Sequence, residues 1–344
     1  MSFPTALRRL LPLTKAALLA GAIAAAPACG GKTPTGIAPP PPPPAVNVDA
    51  DAIALMPFGA VAVASLDAHT IANSTLGGDL LALGERLVPF AAQVDFQVKR
   101  DFDHAYCGMY SFSGADVGCV LTGTFHPDKL EAAAGKGIQS PFGVVVMSTY
   151  AGRKLYTVAN VGFTMLSERT ALSGSEAAIR RMLDRIQAGT VKRELAPWMN
   201  DWIADKSYPV LIASDVTRQS FGKTVTTYLP WVDGVQYFRA RGRFNPDGGF
   251  GVSGSLTYPD APKAQAATSG LAGVAKSFWF MSYLKLLGLD PLVRSLDVKQ
   301  ADKDVLFTSV LSERDARNLL HLLTSWVGQG LPQPPPDNGG GTTM

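Results

Sequence analysis

The chain has 344 residues, 47% hydrophobic and 17% charged, with three cysteines, four histidines and a formal charge of +3. That balance excludes a disordered protein, a disulfide-dense miniprotein and a multi-span membrane protein, leaving one large or two ordinary globular domains with tails. Arg8, Arg9 and Lys15 lie in an acid-free leader, and without these three of the 31 bases, 28 bases face 28 acids. A generally basic surface gripping nucleic acid is therefore not expected.

After Lys15 comes an apolar run, Ala16–Ala26, ending in Ala26-Pro27-Ala28-Cys29-Gly30-Gly31. A membrane-spanning helix needs about 20 apolar residues, so the run is too short to span and fits the apolar region of a signal peptide. Small residues immediately before a cysteine resemble the lipobox of bacterial lipoproteins. The resemblance implies a signal peptide over 1–28, cleavage before Cys29 and diacylation of Cys29. The partner is then a membrane, reached through the lipid anchor, in the cell envelope: the outer membrane facing the periplasm, or the cell surface. Ala26 stands where leucine is usual in that family, and Pro27 is unusual there. The alternative is an ordinary signal peptide cleaved after Ala26 or Ala28. Residues 29–49 hold Pro34 and the run Pro39–Pro44, a composition that cannot bury a core and favours an extended spacer of about 3.1 Å per residue. At the other end, 330–344 with Pro334–Pro336 and Gly339–Gly341 reads as a disordered tail.

Between these tails the pattern is α+β. A buried strand is expected at Ala60–Ser65, and a helix over 71–88 with Leu76, Leu80, Leu83 and Leu87 on one face. His104–Phe112 and Val117–Phe125 flank Ser113-Gly114-Ala115-Asp116 as a hairpin. A helix opens at Pro127, and strands follow near 143–150, 153–158 and 162–172. Ser173-Gly174-Ser175-Glu176 reads as a capping box for a helix with Ile179, Met182, Leu183 and Ile186 inward and Arg180, Arg181, Asp184 and Arg185 toward water. After a helix near 195–205 the order restarts. A strand at Pro209–Asp215, a helix near 218–229 and a hairpin of Val235–Phe244 with Gly249–Tyr258 are followed by a long helix from Asp260. Strands near 296–300 and 304–311 and a last helix from Ser312 complete it. Matching Ser65 with Ser214 suggests two similar units, 50–190 and 191–329, each an antiparallel sheet with helices packed on one face. The stretch Met56–Asp67 resembles the start of bacterial envelope proteins whose tandem domain has no assigned function, and that resemblance implies no activity.

No catalytic, metal or cofactor set emerges from the spacing. Gly222-Lys223-Thr224 lacks the first glycine of a phosphate loop, since Thr217 stands there. Asp103, His104 and His126 are the residues from which an enzyme site, a hydrolase for example, could be assembled, but no third metal ligand accompanies them. Cys107 and Cys119 lie on the two hairpin arms, both expected to point toward the core, as a disulfide or as two buried thiols. Arg239, Arg241 and Arg243 alternate with apolar residues, so period two places three guanidinium groups on one strand face. Such a row grips lipid phosphates, wall carboxylates or an acidic partner protein, or else pairs with nearby acids. Trp279, in an apolar stretch, lines a ligand groove or is buried between the two units. The sequence thus reads as a lipid-anchored envelope protein with a binding or structural role and no cofactor.

Overall fold

A computed structural model describes residues 45–80, 94–112, 116–140, 143–274 and 290–330. Cys29, Trp279, the signal peptide, most of the linker and nearly all of the C-terminal tail lie outside the described residues.

The α+β pattern closes into one antiparallel sheet of twelve strands. From the N-terminus, β1 (Ala62–Asp67) leads into the short α1 (Ala68–Ala72), and α2 (Val98–Asp101) precedes β2 (Phe102–Met109) and β3 (Val117–Gly123). Helix α3 (Pro127–Gly135) and the two-stranded pair β4 (Gln139–Ser140) and β5 (Gly143–Val144) come next. The ladder continues with β6 (Val146–Tyr150), β7 (Arg153–Val158), β8 (Val161–Met165), β9 (Thr170–Ser175) and helix α4 (Glu176–Gln187). The second half runs α5 (Pro197–Ile203), β10 (Val210–Asp215), α6 (Lys223–Tyr228), β11 (Tyr237–Phe244), β12 (Phe250–Thr257), α7 (Ala261–Val274) and α8 (Asp290–Arg294). It ends with β13 (Asp297–Ala301), β14 (Asp304–Leu311) and α9 (Glu313–Gly330). Across the sheet the order is β13-β14-β12-β11-β10-β1-β2-β3-β9-β8-β7-β6. On either side of the central β1–β10 pair the first three strands and then β9 or β14 follow in the same succession.

Ser65 and Ser214 nevertheless face opposite sides. Ala62 pairs with Ser214 and Ser65 with Leu211, and a one-residue shift in a period-two strand turns every side chain over. Asp67 and Asp215, which end β1 and β10, share a side.

Layering is fuller than helices on a single face. One face, carrying Val63, Val120, Leu155, Leu172 and Ala213, packs under α4, α5 and the segment Val48–Ala60. Leu121, Ala171, Tyr156 and Phe163 point the other way and meet α3 through Leu130. On that same side α7 covers Leu256 and Val305, and α9 meets Leu311, Phe244 and Phe250. Tyr258, fully buried in the α7 cluster, donates its hydroxyl to Trp231 O, and burial pushes its pKa up to about 12.

Some boundaries differ for local reasons. The stretch 162–172 is two strands, turning over Leu166–Arg169 without glycine or proline; Thr170 O accepts from Leu166 N–H, while Thr170 N–H donates to Ser167 Oγ. The cap of α4 is Ser175, whose Oγ accepts from Ala178 N–H, because Ser173 is still in the ladder opposite Cys119. Arg185 does not face water. Its side chain is 13% exposed, and Nη1 donates to the carbonyls of Ala54, Leu55 and Met56, clamping the N-terminal segment onto α4. The expected helix over 71–88 stops first at Ala72, where Asn73 N–H caps α1, and resumes at 77–80, the last residues before the undescribed stretch.

Candidate functional site

Cys107 and Cys119 are joined by a disulfide and stand directly opposite in the β2–β3 ladder. Tyr110 N–H donates to Asp116 O, which leaves a five-residue connection over 111–115 and brings the sulfurs together. Both cysteines are half-buried on the α3 side of the sheet rather than in a core cluster. The bridge staples a hairpin and is not a redox centre by its surroundings.

Arg239, Arg241 and Arg243 do share a face, the α4–α5 side of β11. Their cross-strand neighbours on β12 are Ser255, Ser253 and Gly251, a floor of small side chains. Aromatic rings from the α5–β10 region hold two of the three. Arg239 lies 4.9 Å from the Trp198 ring centre and 6.0 Å from that of Trp202, and Arg241 lies 4.5 Å over Tyr208. Arg241 Nε donates to Ser253 Oγ at 3.1 Å, whereas Arg239 Nε is buried without a hydrogen-bond partner. Arg243 is exposed. Eight other arginines make ion pairs with carboxylates, and among the described residues none of these three does. Asp205 is the acid whose charge Arg241 feels, yet Asp205 is held below the usual carboxylate range mainly by the N–H and hydroxyl of Ser207. The row is thus a set of oriented, uncommitted guanidinium groups. On β14 beside it, Leu306 and Val310 are exposed at 42% and 57%.

Next to this row the same sheet face holds a pocket of about 640 Å³ that the sequence pattern did not reveal, within the range of roughly 300–1,000 Å³ usual for small-ligand sites. Its walls are Asp49–Ile53, Asp67, His69, Asp103, His104, Tyr106, Thr122, Arg193 and the Ala204–Tyr208 connection. Asp51 accepts from Arg193 at 2.6 Å, Asp49 from the hydroxyls of Ser167 and Thr170, and Asp103 from Arg169 at 2.9 Å. Burial raises the Asp67 carboxyl, but the N–H and hydroxyl of Thr70 outweigh it and hold the group below its ordinary value. His104 Nε2 shares a 2.7 Å hydrogen bond with Ser65 Oγ, and burial pushes its pKa below 6.5.

Of the three residues that could have built an enzyme site, Asp103 and His104 line this pocket, and His126 caps α3 near Asp101 instead. Ser65 is 2% exposed beneath His104, out of reach of a substrate. A nucleophile must be presented to the reacting atom, so the Ser65–His104 pair is a structural contact. No group of three metal-ligating side chains occurs among the described residues.

No protein-family model matches the chain, and no curated protein matches it either. Among solved structures, crystal form III of TP0453 superposes with a TM-score of 0.51 at 12% identity, over 80% of this chain and 98% of that one. Crystal form IV of the same protein gives 0.50 at 13% identity, over 80% and 96%. The likeness is one of fold. Residue roles therefore rest on the geometry of this chain alone.

Proposed function

We propose that the protein is a lipid-anchored envelope protein that binds a carboxylate-bearing component of the cell wall through the arginine face of β11. The supporting observation is the row Arg239, Arg241 and Arg243, aligned over a serine and glycine floor and without ion pairs among the described residues. Planar guanidinium groups match carboxylates two bonds at a time. Stacking on Trp198 and Tyr208 fixes two of them in advance, which reduces the ordering cost of binding. The lipobox-like leader and the proline-rich spacer place this face at a distance from a membrane, within reach of the wall. The reading is non-enzymatic, in keeping with the buried position of Ser65.

Co-sedimentation with purified peptidoglycan sacculi tests it. The wild-type protein is expected in the pellet, and a variant with Arg241→Gln and Arg243→Gln in the supernatant, with both soluble in the absence of sacculi. Equal pelleting of the two forms refutes the role of the row. Binding to anionic phospholipid vesicles but not to sacculi moves the ligand to lipid phosphates.

A further inference from the structure

We infer that the ligand is dipolar: its carboxylate lies on Arg241 and Arg243, and a primary amine on the same molecule enters the pocket beside His104. This rests on the reading of the arginine face given above and adds a second recognition point to it.

The ladder registers make the two regions one band. Tyr106 lies opposite Ser65, Ser65 opposite Leu211, Leu211 opposite Arg241, and Arg241 opposite Ser253. One row further along β2, His104 lies opposite Asp67, on the same side of the sheet. Tyr208 belongs to both regions, lining the pocket while its ring lies under Arg241. No helix stands between them.

Charge changes sign along this band. The pocket carries Asp49, Asp51, Asp67 and Asp103 against Arg193 and Lys206. Arg193 is committed to Asp51, while Asp49 and Asp67 make no ion pair among the described residues and keep acceptor capacity. His104, uncharged at neutral pH through its burial, adds no positive charge. Hydroxyl groups of Tyr106, Tyr208 and Thr122 offer further polar contacts. The arginine row is the reverse, with cations in excess. A molecule with a cationic end and an anionic end fits this polarity, and one with either end alone satisfies half of it.

The span sets the size. From β1 and β2 to β11 there are two to three strand spacings of about 4.8 Å, hence about 10–14 Å. An extended chain covers about 3.3–3.6 Å per residue, so a peptide of three to four residues with free ends bridges the two. A short peptide bearing an amine and a carboxylate is therefore the ligand class.

Calorimetric titration of the purified protein at low salt with tetra-alanine, N-acetyl-tetra-alanine and tetra-alanine amide tests the inference. Free tetra-alanine is expected to bind at least tenfold more tightly than either capped form. Lys206→Glu, at an exposed position with no ion-pair partner among the described residues, is expected to widen the preference for the free amine. Arg243→Gln is expected to erase the preference for the free carboxylate while leaving that for the amine. If the acetylated peptide binds as well as the free one while the amide binds weakly, the amine seat is wrong and the arginine reading stands. If neither cap matters, or no peptide binds while the protein still pellets with sacculi, the dipolar ligand is overturned. If sacculi binding is also absent, the arginine reading falls with it.

Discussion

His104 sits where a charged ring is costly. Burial dominates its surroundings, Asp67 and Asp103 favour the proton, Lys206 opposes it, and the net effect keeps the ring neutral below its ordinary pKa of 6.5. In the unfolded chain the ring takes a proton as pH falls through 6.5, while in the folded protein it does not until lower pH. The unfolded state then binds more protons, so folding stability declines as pH falls below that value. Replacing His104 with Asn removes this contribution. Urea denaturation between pH 7.5 and 5 is expected to show a steeper acid-side loss in the wild type than in the variant, and parallel curves would remove His104 from the account. Arg239 shows the same economy of position. Its buried Nε lacks a partner, and the contacts that hold it are the indole rings of Trp198 and Trp202. Period two was enough to align the three arginines from sequence. Nothing local, by contrast, signalled that Ser65 would meet His104, because the pair depends on 39 intervening residues and on the β1–β2 register.

At the scale of elements, the β2–β3 hairpin shows how short-range pattern and long-range packing combine. The alternating arms and the five-residue connection made the Cys107–Cys119 pairing readable as one of two options. The bridge closes a loop with a sequence separation of 12, and a loop of that size contributes about 3 kcal/mol by restricting the unfolded chain. Cys107→Ser with Cys119→Ser is expected to lower unfolding free energy by roughly that amount in urea titration, and an unchanged midpoint would show that the bridge carries no stability. Where β3 passes under α4 the sheet must be smooth. A Cβ on Gly118 would lie 2.8 Å from Met182 Cε and 2.9 Å from Ala178 Cβ, and one on Gly162 would meet Ile179 Cδ1 at 2.8 Å. Gly118→Val is therefore expected to cost about 1–3 kcal/mol by forcing α4 outward, read as a lowered Tm. The turn over Leu166–Arg169 escaped the sequence pattern because it uses the Ser167 hydroxyl, which accepts from Arg169 and Thr170 N–H, in place of glycine or proline.

For the whole molecule, the repeated strand order was visible in the sequence, and its fusion into one twelve-stranded sheet was not. That fusion comes from the β1–β10 pairing of segments about 150 residues apart, which no local period encodes. The same pairing creates the band that joins the pocket of one half to the arginine row of the other. The anchor belongs to this scale as well. If Cys29 is acylated, Cys29→Ala is expected to move the protein from the membrane fraction to the soluble envelope fraction, and retention in membranes would remove the lipid from the account. The central claim is that uncommitted guanidinium groups on β11 hold a carboxylate ligand. It is tested most directly by equilibrium binding of the purified protein to poly-L-glutamate at low and at physiological salt. The account predicts measurable affinity that weakens with salt and falls at least tenfold, about 1.4 kcal/mol, in the Arg241→Gln, Arg243→Gln protein. Identical isotherms for the two proteins would contradict it.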